Sequence, residues 1–365
     1  MEYAQERVTT LHDLTDSDPA APTDRAAVVV PMAEREYAGL APERVLAALE
    51  DVDPAAVVVP LHASAERVPD FAAWLDSFDL PVTTLWCDGP HVTDLLDGAD
   101  LDGDRGKGRD VWLGLGAALA TGADHVVVHD ADARTYSGAH VRRLLFPLSE
   151  GFTFAKGYYS RVENDRLYGR LCRLFYEPLV AALGETHGAP VVEYLDAFRY
   201  GLAGEFAATA DLAGRLRIQR SWGLEVGTLG EAFAGAGFDG TAQVDLGNHE
   251  HDHRAVGGPT GLSDMSDHVG AALFRAVEDH GVDPDYGALA ERYRTAARRF
   301  VRSYAADAAF NDLTYDRGSE LDQVESYAAA VAPPGPDLRL PAWVDAQIDG
   351  AAVHEAATAD LAEVR

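Results

Sequence analysis

Two carboxylates one residue apart, Asp130 and Asp132, close the apolar run His125-Val126-Val127-Val128. A nucleoside diphosphate leaving group needs a divalent cation, and Mg²⁺ or Mn²⁺ is usually held by one or two carboxylates together with the phosphates. A buried strand ending in Asp130-Ala131-Asp132 would present such a pair rigidly, because side chains at the carboxyl ends of strands in an open α/β sheet project into the ligand crevice. In an acidic chain the same residues also read as a solvated turn. The surrounding motifs must decide.

Of 365 residues, 60 are Asp or Glu and 30 are Lys or Arg, a formal net charge of -30. Lys107 and Lys156 are the only lysines, leaving 28 arginines. Lysine elimination with an acidic excess resembles the surface of a salt-accumulating halophile, hydrated by carboxylates and screened by salt. Such a field repels nucleic acid and anionic membranes, so neither is an expected partner. It also makes a lysine inside a motif informative. Lys107 stands in Arg105-Gly106-Lys107-Gly108, where glycines let backbone amides approach a phosphate and the lysine adds a point charge. The plainer alternative is a flexible loop, and the spacing is not that of a P-loop. Lys156 and Arg161 lie along Phe154 to Arg161, a strand with a positive pair that suits an anionic substrate or merely protects an edge.

Three histidines, His249, His251 and His253, fall within five residues after a second strand. One of them could join the Asp pair on a single ion, whereas all three on zinc would need a geometry that one strand does not give. Glu225, in Trp222-Gly223-Leu224-Glu225-Val226-Gly227, is a lone acid among small and apolar residues. It reads either as a functional acid or as a first-turn helix residue favoured by the dipole. Cys87 and Cys172 have no metal or redox spacing and read as reduced thiols. With no signal-like start and no long apolar run, a soluble cytoplasmic protein is expected.

These residues need elements to place them. Residues 1–24 are polar and read as a loose leader. Residues 25–150 alternate short apolar runs with helical patterns: strands at 26–32, 55–61, 82–86 and 124–128, helices at 42–49, 68–78 and 110–120. Continuous runs such as Val28-Val29-Val30 and Val57-Val58-Val59 predict a mostly parallel sheet buried on both faces. In 151–283, strands are expected at 152–159 and 242–246 and helices at 167–183, 204–216, 224–234 and 264–279. Residues 284–365 read as a helical extension, with 286–311 and 321–331 helical before a break at Pro333-Pro334-Gly335-Pro336. A packing or oligomerisation role is expected there, which leaves a homodimer open.

In this order the motifs resemble the glucosyl-3-phosphoglycerate synthases, retaining glycosyltransferases of the Asp-x-Asp, GT-A type nucleotide-diphospho-sugar transferase fold, over roughly residues 25–280. The likeness rests on Val30-Pro31, Gly106-Lys107-Gly108, Asp130-Ala131-Asp132, Lys156, Gly169-Arg170, Leu202 to Thr209, Gly223 to Gly227 and Gln243 to Gly247 leading to His251. It implies a Mg²⁺- or Mn²⁺-dependent transfer of a hexose from a nucleotide sugar, UDP-glucose first, to a small phosphorylated acceptor such as 3-phosphoglycerate. It assigns Asp130, Asp132 and His251 to the metal, and Pro31, Lys107, Asp130, Ala131 and Ala203 to the donor. Lys156, Gly169, Arg170, Cys172 and His253 fall to the acceptor, and Asp132, Leu202 and Glu225 to the reaction itself. This chain departs from the family at Arg35 for glutamate, Cys172 for threonine, His249 for arginine and His253 for asparagine. GDP-mannose as donor, another acceptor on the same fold, and a non-catalytic sugar-nucleotide sensor stay open. A nucleotidyltransferase is disfavoured, because the Gly-rich, Arg/Lys-bearing first loop it needs is missing after Val30.

Overall fold

The computed structural model describes residues 5–252 and 259–364, apart from the side chains of 259–263. Eleven strands are numbered along the chain: β1 (Thr9–Leu11), β2 (Ala26–Val29), β3 (Met32–Ala33), β4 (Ala56–His62), β5 (Val82–Trp86), β6 (His125–Val128), β7 (Phe154–Ser160), β8 (Val162–Glu163), β9 (Arg166–Leu167), β10 (Phe206–Thr209) and β11 (Thr241–Asn248). Among the described residues, nine of them form one sheet in the order β1-β11-β7-β10-β6-β2-β4, with β3 and β5 both on β4, and β8 and β9 make a hairpin. Every pair in the large sheet is parallel except those of β10, which is antiparallel to both β6 and β7.

The valine runs explain why this sheet is covered twice. Side chains alternate between faces of a strand, and Ala27, Val29, Val58, Val126 and Val128 enter one core while Val28, Val30, Val57, Val59 and Val127 enter the other. The first core also takes Val111 and Leu115 from helix Lys107–Ala120; the second takes Val45 and Leu49 from helix Leu40–Val52 and Leu144 and Leu148 from helix Ala139–Ser149. Each valine so buried contributes about 1.5–3 kcal/mol relative to exposure. The strands expected at 26–32, 55–61, 82–86, 124–128, 152–159 and 242–246 are all present, the first broken at Pro31 between β2 and β3.

Two expectations are corrected. The segment 204–216 is not a helix but β10 followed by a single turn, Ala210–Ala213. Its alanines favour helix weakly, and the vacancy between two strands overrides that preference. The polar start is not loose either: β1 pairs in register with β11, Thr9 opposite Ala242, while Asp13 and Asp18 receive Arg143 and Arg142 from helix Ala139–Ser149. Helices Ala139–Ser149, Pro90–Gly98 and Pro190–Asp196 are additions to the sequence reading.

The last helix, Gly350–Val364, packs on helices Lys107–Ala120 and Pro90–Gly98. Buried Asp360 accepts the His91 and Val92 amides at 2.8 and 3.1 Å, capping the start of helix Pro90–Gly98. Trp343 stacks on Trp112 with centroids 3.9 Å apart, and the two indoles donate to the Trp112 and Pro341 carbonyls. The tail therefore braces the back of the helix whose front end carries Lys107.

Candidate active site

The carboxyl ends of β2, β4 and β6 open into one cleft of about 370 Å³, lined by Pro31, Arg35, Glu36, His62, Lys107, Asp110, Asp130, Ala131, Asp132 and Trp222 among others. This is where parallel strands present ligand-binding groups. Five residues expected there, Pro31, Lys107, Asp130, Ala131 and Asp132, meet in it.

Lys107 heads its helix directly after Gly106. Its ammonium lies 2.5 Å from Asp130 Oδ1 and 3.5 Å from Glu225 Oε1. Burial opposes the charge, but these carboxylates outweigh it and hold the lysine protonated. Glu225 approaches Lys107 from the first turn of helix Leu224–Gly235, so it is a first-turn acid that also pairs with a residue lining the cleft.

Asp132 turns to the other side. Its Oδ1 lies 3.2 Å from His251 Nδ1, and its carbonyl accepts the Asp252 amide at 2.8 Å. Ala133 and His251 form an antiparallel bridge, and Glu163 accepts the His251 amide at 3.2 Å. Burial raises the Asp132 pKa, yet the hydrogen bond and charge of His251, with Lys107 beyond, hold the carboxyl below its usual range. A carboxylate beside an imidazole suits a divalent cation of the Mg²⁺ or Mn²⁺ class. Asp130 stands next to this pair but is engaged by Lys107, so among the described residues no three such side chains are gathered as a ready-made ion cage.

The acceptor-side residues divide. Gly169 adopts φ +75°, and a Cβ there would sit 2.6 Å from the Tyr200 hydroxyl, so the turn before Arg170 requires glycine. Arg170 is half-exposed; Nε donates to Glu320 at 2.8 Å, and Nη2 to Ser319 at 3.3 Å. Cys172 is 1% exposed within a π-helical turn, Cys172–Tyr176, so it adds no open surface to a cleft. Burial raises its thiol pKa, and its sulfur lies near the backbone of Leu202 and Gly201. His249 stacks on Tyr159 at 4.1 Å and is nearly fully buried; burial and its cationic neighbours keep it neutral, where the resembled family carries a permanent cation. His253 lies outside the described residues. Lys156 is not on a solvated edge: β7 is an interior strand, the side chain is 1% exposed, and its ammonium donates to the Ala203 carbonyl at 2.5 Å.

In the first loop Glu34 turns away to Ser64, while Arg35 and Glu36 both line the cleft, Arg35 Nε on Glu36 Oε1 at 2.7 Å. His62 is a site residue the sequence reading missed. It ends β4, and its Nδ1 lies 2.7 Å from Asp88, whose hydrogen bond raises the imidazole pKa. Its place at the end of a parallel strand was the available signal.

No protein-family model matches the chain. It is 33% identical over 379 aligned residues to the glucosyl-3-phosphoglycerate synthase of Methanococcoides burtonii, covering 95% of this chain and 94% of that protein. The enzyme of the same name from Persephonella marina is 33% identical, over 83% of this chain and 79% of its own length. The solved glucosyl-3-phosphoglycerate synthase of Mycobacterium tuberculosis, in complex with Mn²⁺, UDP and glucosyl-3-phosphoglycerate, is similar with a TM-score of 0.53 at 25% identity, covering 72% of this chain and 82% of that one. The α/β glycosyltransferase fold expected from the motifs is the one observed, and the chain belongs to the glucosyl-3-phosphoglycerate synthase family.

Proposed function

We propose that this enzyme transfers glucose from UDP-glucose to the hydroxyl of 3-phosphoglycerate with retention of configuration, using Mg²⁺ or Mn²⁺, in the cytoplasm. The observation that carries this reading is the convergence of Lys107, Asp130 and Asp132 on one cleft at the strand ends, with Glu225 beside Lys107 and His251 beside Asp132. Asp132 and His251 would hold the cation, with Asp130 beside them; the bound ion supplies Lewis-acid stabilisation of the departing diphosphate. Lys107 adds a fixed positive charge on the diphosphate side, in a site where a preorganised charge needs no reorganisation as the bond breaks. Leu202 and Ala203 would supply the backbone of the sugar site, since Gly204 beside them abuts the Asp130 carboxylate, and Glu225 adjoins Lys107. Gly169 and Arg170 receive the acceptor phosphate. With His249 neutral, Arg170 carries more of that task than a site with two cations would demand.

The test is a matrix of UDP-glucose, ADP-glucose and GDP-mannose against 3-phosphoglycerate, 2-phosphoglycerate and glycerol 3-phosphate, with Mn²⁺, Mg²⁺ or EDTA, in molar KCl. UDP-glucose with 3-phosphoglycerate should turn over fastest and EDTA should stop it. Faster turnover with GDP-mannose would replace the donor assignment, and donor binding without transfer to any acceptor would favour a sensor. Arg170→Ala should raise the KM for 3-phosphoglycerate about 10- to 100-fold, the worth of one charge-assisted contact. The KM for UDP-glucose should stay within about twofold, since Arg170 does not line the donor cleft. Equal rises in both constants would remove Arg170 from the acceptor site.

A further inference from the structure

Both lysines of this chain end at one place. Lys107 reaches Asp130 and Glu225 from helix Lys107–Ala120, and Lys156 reaches Ala203 O from β7. In a chain with 28 arginines, the survival of lysine at these two positions alone points to a need for a compact ammonium that a planar guanidinium does not meet. At position 156 the reason is visible. Its strand, β7, lies between β10 and β11, the side chain is buried, and its ammonium donates to the Ala203 carbonyl.

The next residue explains what that bond controls. Gly204 lies so close to Asp130 that a Cβ there would stand 2.6 Å from Oδ2 and 3.0 Å from Oδ1. Glu205 follows, 1% exposed, with Oε2 buried and lacking a hydrogen-bond partner among the described residues. Burial and the Asp130 charge raise its pKa, while burial lowers that of Lys156 to about 8 against the pull of Glu225 and Glu205. The ammonium thus sits among Glu205, Glu225 and Asp130 and offsets part of their mutual repulsion.

We propose that Lys156 is a positioning residue of the donor site: by holding the Ala203 carbonyl it sets the Gly204 backbone against the Asp130 carboxylate, and so fixes where Asp130 and Lys107 meet the diphosphate. This rests on the reading of Asp130 and Lys107 as donor groups. It differs from an acceptor role, which would need the ammonium in the open.

The test is calorimetric titration with UDP and Mn²⁺ in molar KCl, together with steady-state kinetics, on wild type, Lys156→Met, Lys156→Arg and Gly204→Ala. Lys156→Met should bind UDP at full stoichiometry but about tenfold or more weakly, the worth of one buried charged hydrogen bond. It should also lower kcat and leave the KM for 3-phosphoglycerate unchanged. Lys156→Arg should not restore the wild-type values, since the longer fork does not fit the same pocket. Gly204→Ala should give the same signature from the other side of the contact, and it decides the matter if neither Lys156 variant folds. A wild-type Kd and kcat in Lys156→Met, or reduced stoichiometry with an unchanged Kd in the remaining sites, overturns the proposal; so does a selective rise in the acceptor KM. If wild type itself binds no UDP, the donor reading falls instead.

Discussion

Asp132→Ala is expected to reduce glucosyl transfer about 1000-fold or more at saturating Mn²⁺. Loss of metal-mediated charge neutralisation is worth several kcal/mol, and each 1.36 kcal/mol is tenfold in rate. The loss should be chemical rather than structural. The Asp132 side chain is 35% exposed and its side-chain partner among the described residues is His251, while the Asp252 amide bonds to the Asp132 carbonyl, which the substitution leaves in place. A partly exposed pair of this kind contributes about 1 kcal/mol or less to stability, so the melting temperature should hardly move. Asp132→Asn keeps the shape and removes the charge, and should be nearly as inactive. His251→Ala should resemble both, with a higher Mn²⁺ concentration needed for half-maximal rate. Turnover of Asp132→Ala within tenfold of wild type, with unchanged Mn²⁺ dependence, would end the assignment of the metal to this carboxylate.

The difference between what residue order makes legible and what it hides follows from the range of the interactions. The valine strands could be read because each residue reports its own burial: Val57 and Val58 point into opposite cores, and a strand covered on both faces is apolar along most of its length. The cleft at the strand ends could be read for a related reason. A parallel strand fixes which end faces ligand, so Asp130 and Asp132 after β6 were placed by topology, whereas Pro31 after β2 was assigned only through the family resemblance. The same rule applied to β4 would have found His62.

Contacts between distant segments were not legible. Glu320 meets Arg170 across 150 residues and Arg173 across 147, from helix Arg317–Tyr327 in the segment expected to be remote from chemistry. No local pattern marks it, since acids are everywhere in this chain. Lys156 was legible as unusual but not as buried, because burial depends on β10, and β10 was hidden inside an alanine-rich window. β1 was hidden by its length: three residues carry no period, and only the edge of β11 makes them a strand. Cys172 and His249 show a third kind of failure. Each stands at a position matching the family's acceptor segment, and no local pattern marks that both side chains are buried.

Gly108→Ala should be the most damaging single methyl group that can be added near the donor site. A Cβ at this position would lie 1.7 Å from the Gln219 carbonyl oxygen and 2.9 Å from the Arg220 carbonyl carbon. Both are backbone atoms, so no rotamer change relieves the clash. Either the first turn of helix Lys107–Ala120 lifts or the 219–220 segment shifts, and either movement breaks the 2.9 Å bond from the Arg109 amide to the Arg220 carbonyl. Overpacking of this kind costs about 1–3 kcal/mol or more, a fall in melting temperature of about 1–4 °C or more for a domain of this size. Function should suffer beyond stability. Lys107 is the adjacent residue, and a displacement of about 1 Å in a positioned catalytic group can cost about 100-fold in rate. Gly98→Ala is the matching control, because nothing lies within 4 Å of a Cβ there, and its melting temperature and kinetics should be those of wild type. The comparison is read by thermal denaturation in molar KCl and by UDP titration on the folded fraction. Wild-type stability and UDP affinity in Gly108→Ala would mean that the start of the helix is not seated on residues 219–220, and that Lys107 reaches Asp130 by another path.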